Sequence, residues 1–201
     1  MHSTETSDGS DVKTPLPLHA VVVHKGDHMD SMKSHIVKQF FGIMGRRGSD
    51  SDLVATDLET MLFPDVVTLL EIGELLAAKI PQAVDFDVII GIEEKGPGLA
   101  LAVAMHSLHE GKPLKHCCIQ MAANEVPEMM RNIVKGKLVL FVCPVLSSGS
   151  FEKIRKMMQV FRSSTSAASV VGVISFVGLN VNVATLTNGT RYFEPLIRIN
   201  F

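Results

Sequence analysis

The sequence contains no apolar run near the roughly 18 to 20 residues that a helix needs to cross a bilayer. It also lacks an excess of charge, because 19 Lys and Arg stand against 21 Asp and Glu, giving a net charge of −2. The two signs are interspersed, so no stretch offers the basic surface that attracts a polyphosphate backbone. We therefore expect neither a membrane partner nor a nucleic-acid partner.

Cysteine is scarce as well, with three residues at Cys117, Cys118 and Cys143. An odd number in apolar surroundings is typical of buried, reduced thiols and argues against a disulfide framework. The N-terminus has no charged start followed by an apolar stretch, so we expect no secretory signal. Residues 1–17, rich in Ser, Thr, Asp and Pro, are predicted to form a disordered tail. These features together predict a cytoplasmic protein.

What is present is an alternation of short apolar runs with helical segments along the second half of the chain. Val88–Gly91 and Leu138–Val142 are predicted strands, and the segments after them have helical periodicity. This alternation predicts an α/β fold, with a mostly parallel sheet flanked by helices on both faces. The 201 residues, 46% of them hydrophobic, suffice for one domain over 18–201. We divide it into an N-terminal part, approximately 18–63, and a core, approximately 64–201.

The N-terminal part gives weaker signals. Apolar residues at every fourth position from Met32 to Met44 predict a helix. Gly42–Asp52 is rich in Gly, Arg, Ser and Asp and is predicted to be a loop, which a short strand at Leu53–Asp57 follows. A second helix is predicted from Pro64 to about Ile80, because proline is favoured in the first helical turn.

The most informative segment is the turn that follows the strand Leu138–Val142. Its four residues are Ser147, Ser148, Gly149 and Ser150. A buried strand that passes through a Ser/Gly turn into a helix directs backbone N–H groups and hydroxyls to one point, which suits a phosphate group. The same pattern is also typical of an ordinary tight α/β turn, and both interpretations stay open for this segment alone.

A second segment lies upstream, where Glu94, Lys95 and Gly96 follow the strand Val88–Gly91 and precede an Ala-rich helix. The two segments, in this order, resemble the phosphoribosyl-diphosphate signature of the type I phosphoribosyltransferases. Lys95-Gly96 is similar to the orotate branch in particular. Taken alone, this second segment also has a simpler interpretation as an exposed lysine in a surface turn.

The resemblance extends over about 35–201 and implies a fold, a site and an assembly. It implies that Ser147–Ser150 holds a 5′-phosphate and that Glu94–Gly96 is the loop that binds pyrophosphate. The N-terminal part would form a small hood over the base. The resemblance also implies a homodimer and a ligand that is a phosphorylated ribose or a nucleotide.

Two departures from the family pattern bear on activity. The two acids that bind the ribose hydroxyls in the family are replaced by Cys143 and Pro144, and the segment Cys117–Glu128 has no cation where orotate enzymes have a cationic mobile loop. The missing acids would supply charge-assisted hydrogen bonds worth roughly 1.5 to 3 kcal/mol each. Loss of the cations removes stabilisation needed in the transition state. We therefore assign no catalytic residue and no metal ligand.

Three hypotheses follow. The first is a catalytically impaired protein of the orotate phosphoribosyltransferase type that binds a 5′-phosphorylated ribose or nucleotide in a regulatory or scaffold role and needs no cofactor. The second is an active transferase that joins a pyrimidine or purine base to phosphoribosyl diphosphate with Mg²⁺. The third is an interaction module whose pocket is filled, for example by Phe151 and Pro144.

Overall fold

A computed structural model gives the fold of most of the chain. It describes residues 22–23, 27–48, 50–81, 83–109, 116–118, 128–163, 168–180, 191–192 and 195–200. The predicted tail at 1–17 lies outside these residues, and so does most of the segment that was compared with the cationic loop. Within the described part, no helix is both long and apolar enough to cross a membrane.

The described residues form six helices and seven strands, which alternate from β2 onwards. In chain order they are β1 (Val22–Val23), α1 (Asp27–Arg47), α2 (Ser51–Leu62), α3 (Val66–Lys79), β2 (Val88–Gly91), α4 (Gly96–His109), β3 (His116–Cys118), α5 (Glu128–Val134), β4 (Leu138–Leu146), α6 (Ser148–Ser163), β5 (Ser169–Leu179), β6 (Arg191–Tyr192) and β7 (Ile197–Ile199).

The strands form one sheet in the order β1-β7-β5-β4-β2-β3, and β6 also pairs with β5. All pairings are parallel except that of β1 with β7. β4 lies between β5 and β2, and it is the longest strand after β5. Its residues Val139–Leu146 are all buried, as expected for a central strand covered on both faces.

Helices cover both faces of the sheet. On one face, α1–α4 bury a cluster that includes Phe40, Leu58 and Leu76 against Leu140 and Ile174 of the sheet. On the other face, α5 and α6 bury a second cluster against the alternate strand residues, and the rings of Phe141 and Phe161 stack there with centroids 6.2 Å apart. The predicted α/β class, with a mostly parallel sheet between two helical layers, is confirmed.

Two predictions in the N-terminal part are wrong. The predicted loop at Gly42–Asp52 is mostly helical, because α1 continues to Arg47, and the predicted strand at Leu53–Asp57 is part of α2. The Asp50 side chain caps α2 by accepting hydrogen bonds from the N–H groups of Asp52 and Leu53. A cap of this kind stabilises a helix start by roughly 1 kcal/mol, enough to decide a segment of mixed composition.

The other boundaries agree more closely. The predicted helix from Pro64 to Ile80 is α3, which begins at Val66 after an Asp65 cap and ends at Lys79. β4 continues to Leu146, four residues beyond the predicted strand. The division into an N-terminal part and a core near residue 63 stays a prediction, since α1 and α2 share one cluster with α3 and α4.

Candidate functional site

The two loops singled out in the sequence lie side by side. β2 and β4 are parallel neighbours, so the loops after them emerge at the same edge of the sheet. The Ile92 N–H joins them by donating to the Val142 carbonyl over 2.8 Å. Gly91 faces the first turn of α4 so closely that a Cβ atom there would lie 2.2 Å from the backbone of Gly96. The second loop is therefore a tight turn closed by glycine on both sides.

The first loop forms the N-terminus of α6. Ser147 precedes the helix, and its hydroxyl accepts the Ser150 N–H over 3.2 Å. The two hydroxyls are 3.0 Å apart, and the Ser150 hydroxyl donates to the Val145 carbonyl over 3.3 Å. Both serines are buried. Ser147 thus acts as a helix cap, and the two hydroxyls bond chiefly to the turn itself.

The Gly149 amide, one residue before Ser150 in this turn, is held by a carboxylate from α2. The Gly149 N–H donates to Asp52 Oδ1 over 3.0 Å, and the Ser51 and Ser148 hydroxyls lie 3.0 Å apart beside it. A Cβ atom on Gly149 would lie 2.5 Å from Asp52 Oδ2, so glycine permits this close approach. The Asp52 carboxylate thus occupies the position at the positive end of the α6 dipole that a bound phosphate would take.

A second carboxylate of α2 holds the other loop. Glu59 is 6% exposed, and its Oε1 accepts the Lys95 N–H. Burial raises the pKa of Glu59 to about 7, and the negative charges of Glu93 and Glu94 act in the same direction. The hydrogen bond from Lys95 opposes this shift. Glu59 is therefore a buried acid that changes its charge close to neutral pH.

The remaining charges near the loops are paired with each other. Lys153 of α6 donates to both carboxylate oxygens of Glu93, over 2.9 and 3.0 Å. Glu93 has a φ of 69°, a left-handed backbone conformation that is uncommon outside glycine. Lys95 Nζ lies 3.5 Å from Glu94 Oε1, and both of these side chains are partly or largely exposed. The lysine of the predicted pyrophosphate loop thus faces its own neighbour rather than a cleft.

A small cleft lies between α2 and the two loops. Its volume is about 110 Å³, and it is lined by Asp52, Ala55, Thr56, Glu59, Glu93, Val145, Ser147, Gly149, Ser150 and Lys153. Pockets for drug-sized ligands measure roughly 300 to 1,000 Å³. Three of the lining side chains are acids and one is a lysine. The cleft has room for a small group such as a phosphate, while its charges disfavour an anion.

The replaced acidic pair lies inside β4. Cys143 is fully buried in the cluster beneath α6, and its thiol donates to the Val145 carbonyl over 3.2 Å. Burial raises the pKa of this thiol well above its usual value, with smaller contributions from Glu93 and Glu59. Pro144 is buried as well. Neither residue lines the cleft, and nor does Phe151, so none of the three fills it.

A divalent ion is implied only for a working transferase, and the cleft does not fit one. Among the residues that the structure describes, no three His, Cys, Asp or Glu side chains come close enough together to hold a metal ion. Glu93 is paired with Lys153, and Asp52 and Glu59 accept backbone N–H groups. The hard oxygen ligands that Mg²⁺ prefers are thus engaged elsewhere.

The sequence predictions and the site overlap in part. The structure brings Ser147, Gly149 and Ser150 to the cleft, whereas Glu94, Lys95 and Gly96 do not line it. Three charged residues at the cleft were missed: Asp52, Glu59 and Lys153. One signal was available for the first two, since residues seven apart share one face of a helix, and Glu59 stands among apolar positions there.

Comparison with known proteins gives little more. No protein-family model matches the sequence, and no curated protein matches it. Among solved structures, the chain is similar to orotate phosphoribosyltransferase from Francisella tularensis, with 16% identity and a TM-score of 0.39. The match covers 57% of this chain and 52% of that one, so it spans about half the length of the matched protein. The candidate function therefore depends on the loops and side chains of this chain.

Proposed function

We propose that this chain is an orotate phosphoribosyltransferase-like protein that does not carry out transfer. In this proposal it binds a 5′-phosphorylated ribose or nucleotide weakly, without Mg²⁺, in a regulatory or scaffold role. A homodimer belongs to the same proposal. The observation that carries it is the end of β4, where buried Cys143 and Pro144 stand in place of two acids, next to a Ser/Gly helix start.

The absence of acids at the end of β4 weakens catalysis more than binding. A 5′-phosphate needs the N-terminus of α6, which is present, whereas the ribose hydroxyls need carboxylates that Cys143 and Pro144 do not supply. Losing two charge-assisted bonds of roughly 1.5 to 3 kcal/mol each corresponds to a loss of about 10²-fold or more in affinity. Without bonds to the ribose hydroxyls, the carbon at which transfer would occur is poorly oriented.

Calorimetric titration tests this proposal. Phosphoribosyl diphosphate, ribose 5-phosphate and a nucleoside monophosphate are each titrated into the purified full chain, with and without Mg²⁺. We expect all three to bind weakly and with similar affinity, because only the 5′-phosphate is recognised, and we expect Mg²⁺ to have no effect. Tight, Mg²⁺-dependent binding of the diphosphate would contradict the proposal and support an active transferase.

An Asp52→Asn variant tests whether the Asp52 carboxylate competes with the phosphate for the N-terminus of α6. A phosphate must displace the Asp52 carboxylate from the Gly149 N–H, so removing that charge is expected to tighten ribose 5-phosphate binding about tenfold, equivalent to about 1.4 kcal/mol. Asp85→Asn removes the same charge at an exposed position outside the cleft and is the matched control. An equal gain in both variants would show that the effect is general electrostatics and not competition at α6.

A second candidate function is the interaction module, in which the fold acts only through its surface. One observation favours it: Asp52 and Glu59 of α2, which line the cleft of only about 110 Å³, accept the Gly149 N–H and the Lys95 N–H. If neither the wild-type protein nor Asp52→Asn binds any of the three ligands, the phosphate proposal fails and the interaction module is supported.

A further inference from the structure

Exposed apolar side chains concentrate on two neighbouring helices of the described chain. Between 43% and 70% of each of five residues is exposed, and we call them the α3–α4 surface: Val66, Val67 and Leu70 on α3, with Leu101 and Met105 on α4. The other large apolar residues that are exposed are distributed over three helices, at Phe41, Leu53, Met61 and Met129. Single exposed apolar residues are ordinary, whereas several on one surface indicate an interaction site.

The two helices form one continuous support for these residues. A Cβ atom on Gly73 would lie 2.4 Å from Ala102 Cβ, and one on Gly98 would lie 3.0 Å from Leu69 Cδ1. Both pairs have the same separation in sequence, so the helices run side by side in the same direction. Their inner sides are buried in the first cluster against the sheet, and the exposed residues therefore face away from it.

The exposed rows of α3 and α4 lie on the same side of this helix pair. Leu70 and Glu74 are four residues apart on α3, and Leu101 and Met105 are four apart on α4, so each pair shares one helix face. Glu74 Oε1 lies 3.5 Å from His106 Nε2, and both side chains are partly exposed. This contact joins the two rows across the outer side of the seam between the helices.

The size of the α3–α4 surface suits one half of a dimer interface. Its five residues expose on the order of 500 Å², in the upper part of the range of roughly 300 to 600 Å² for the largest apolar patch of a monomeric protein. A standard interface buries about 800 Å² on each partner, and about 65% of it is apolar in homodimers. The five residues with a polar rim therefore provide the area that a stable dimer needs.

The charges at this surface fit a second copy better than a partner of one charge sign. Glu74 faces His106 within the surface, while Asp65 begins α3 and Lys79 lies in its last turn. When two copies of α3 pack in opposite directions, the acidic start of one lies beside the basic end of the other. An isologous contact also sets each apolar area against an equal apolar area.

We propose that the α3–α4 surface is the contact through which two copies of this chain form a symmetric dimer. This inference rests on the homodimer of the proposed function and names its interface. None of the five residues lines the cleft. The contact therefore uses no residue of the candidate phosphate site, and dimerisation and phosphate binding can be measured separately.

Sedimentation velocity of the purified full chain, over a series of protein concentrations, tests the interface. We expect the wild-type protein to have the mass of two chains. Leu101→Glu places a charge in an apolar contact twice, once from each copy, so we expect the dissociation constant to rise at least about 100-fold. Met129→Glu is the matched control, because it adds the same charge at an exposed methionine of α5, on the other face of the sheet, and should remain a dimer.

Leu70→Glu repeats the test from α3, so that the result does not depend on one variant, and circular dichroism shows whether each monomer is folded. A dimer that persists in both Leu101→Glu and Leu70→Glu would overturn the interface and leave the homodimer to another surface. Equal dissociation of Met129→Glu would also overturn it. A monomeric wild-type protein would overturn both the interface and the homodimer, and would leave the surface to another protein or another segment of this chain.

Titration of ribose 5-phosphate into Leu101→Glu separates this inference from the phosphate proposal. We expect the monomeric variant to bind the ligand with the affinity of the wild-type protein. A dimeric wild-type protein that dissociates on Leu101→Glu but does not bind the ligand would support the interface and contradict phosphate binding. Loss of ligand binding in Leu101→Glu alone would show that the contact is not independent of the cleft and would overturn the interface as described.

Discussion

Replacing Cys143 by aspartate is expected to lower the free energy of unfolding by roughly 3 to 5 kcal/mol at pH 7. The buried aspartate would either carry a charge without a partner or have to take up a proton, and both cost free energy. The side chain belongs to the buried cluster that includes Ile154 and Met158 of α6, and its thiol interacts with the Ser150 hydroxyl. The nearest polar group across the β4–β5 pairing is Ser175, whose buried hydroxyl has no partner among the described residues. One neutral hydrogen bond from it offsets only about 1 kcal/mol.

Chemical denaturation of the wild-type protein, Cys143→Asp and Cys143→Ser measures this effect. Serine has nearly the size of cysteine and brings a polar group without a charge, so its loss should be clearly smaller. The comparison asks whether position 143 opens onto a ligand site. Unchanged stability of Cys143→Asp together with new, Mg²⁺-dependent binding of phosphoribosyl diphosphate would show that it does and would contradict the burial described here.

Replacing Glu59 by glutamine is expected to stabilise the protein at pH 8 by roughly 2 to 3 kcal/mol and to have little effect at pH 5. The pKa of this carboxyl is near 4.5 when exposed and about 7 in the folded chain. Between these values the folded state keeps a proton that the unfolded state has released. The stability of the wild-type protein therefore falls as pH rises from 4.5 to 7, and it is flat on either side of that window.

Urea denaturation at pH 5, 6, 7 and 8 gives the comparison directly. Glu59→Gln should show a flatter profile than the wild-type protein, and Glu71→Gln should follow the wild-type profile because that glutamate is exposed. A Glu59→Gln variant that is less stable than the wild-type protein at pH 8 would mean that the ionised carboxylate is stabilising, so that its bond to the Lys95 N–H outweighs burial.

The parallel core of the fold was predictable because its signals are local and repeated. Val88–Gly91 and Leu138–Val142 are apolar runs bounded by turn residues, and a helix follows each of them. Such a pattern has one favourable arrangement, with the strands buried side by side and the helices covering them. The two candidate loops then had to emerge at the same edge of the sheet, and they do.

In the N-terminal part, the helix predicted from Met32 to Met44 lies within α1, whereas the end of α1 and the whole of α2 were not predicted. Gly42 and Gly45 lower the helix propensity of the predicted loop, and tertiary packing of Ile43 in the core outweighs that cost. The burial of Glu59 depends on where α2 is placed, which is a property of the assembled fold. Sequence alone therefore identified the loops that resemble a phosphate site and missed the acids that hold them.

Those two acids occupy the backbone N–H groups of the candidate site. Asp52 and Glu59 lie two helical turns apart on α2, and each accepts a backbone N–H from one of the two loops. A protein that transfers phosphoribose must leave such N–H groups free for the phosphates of its substrate. We therefore propose that this chain has the two loops but does not carry out the transfer reaction.

Release of pyrophosphate from phosphoribosyl diphosphate tests that claim most directly. The purified full chain is incubated at pH 6 and at pH 8 with the diphosphate, Mg²⁺ and each of several pyrimidine and purine bases. We predict no release above the rate without protein for any base at either pH. Base-dependent release that is proportional to the protein concentration would contradict the claim and show that the chain is an active phosphoribosyltransferase.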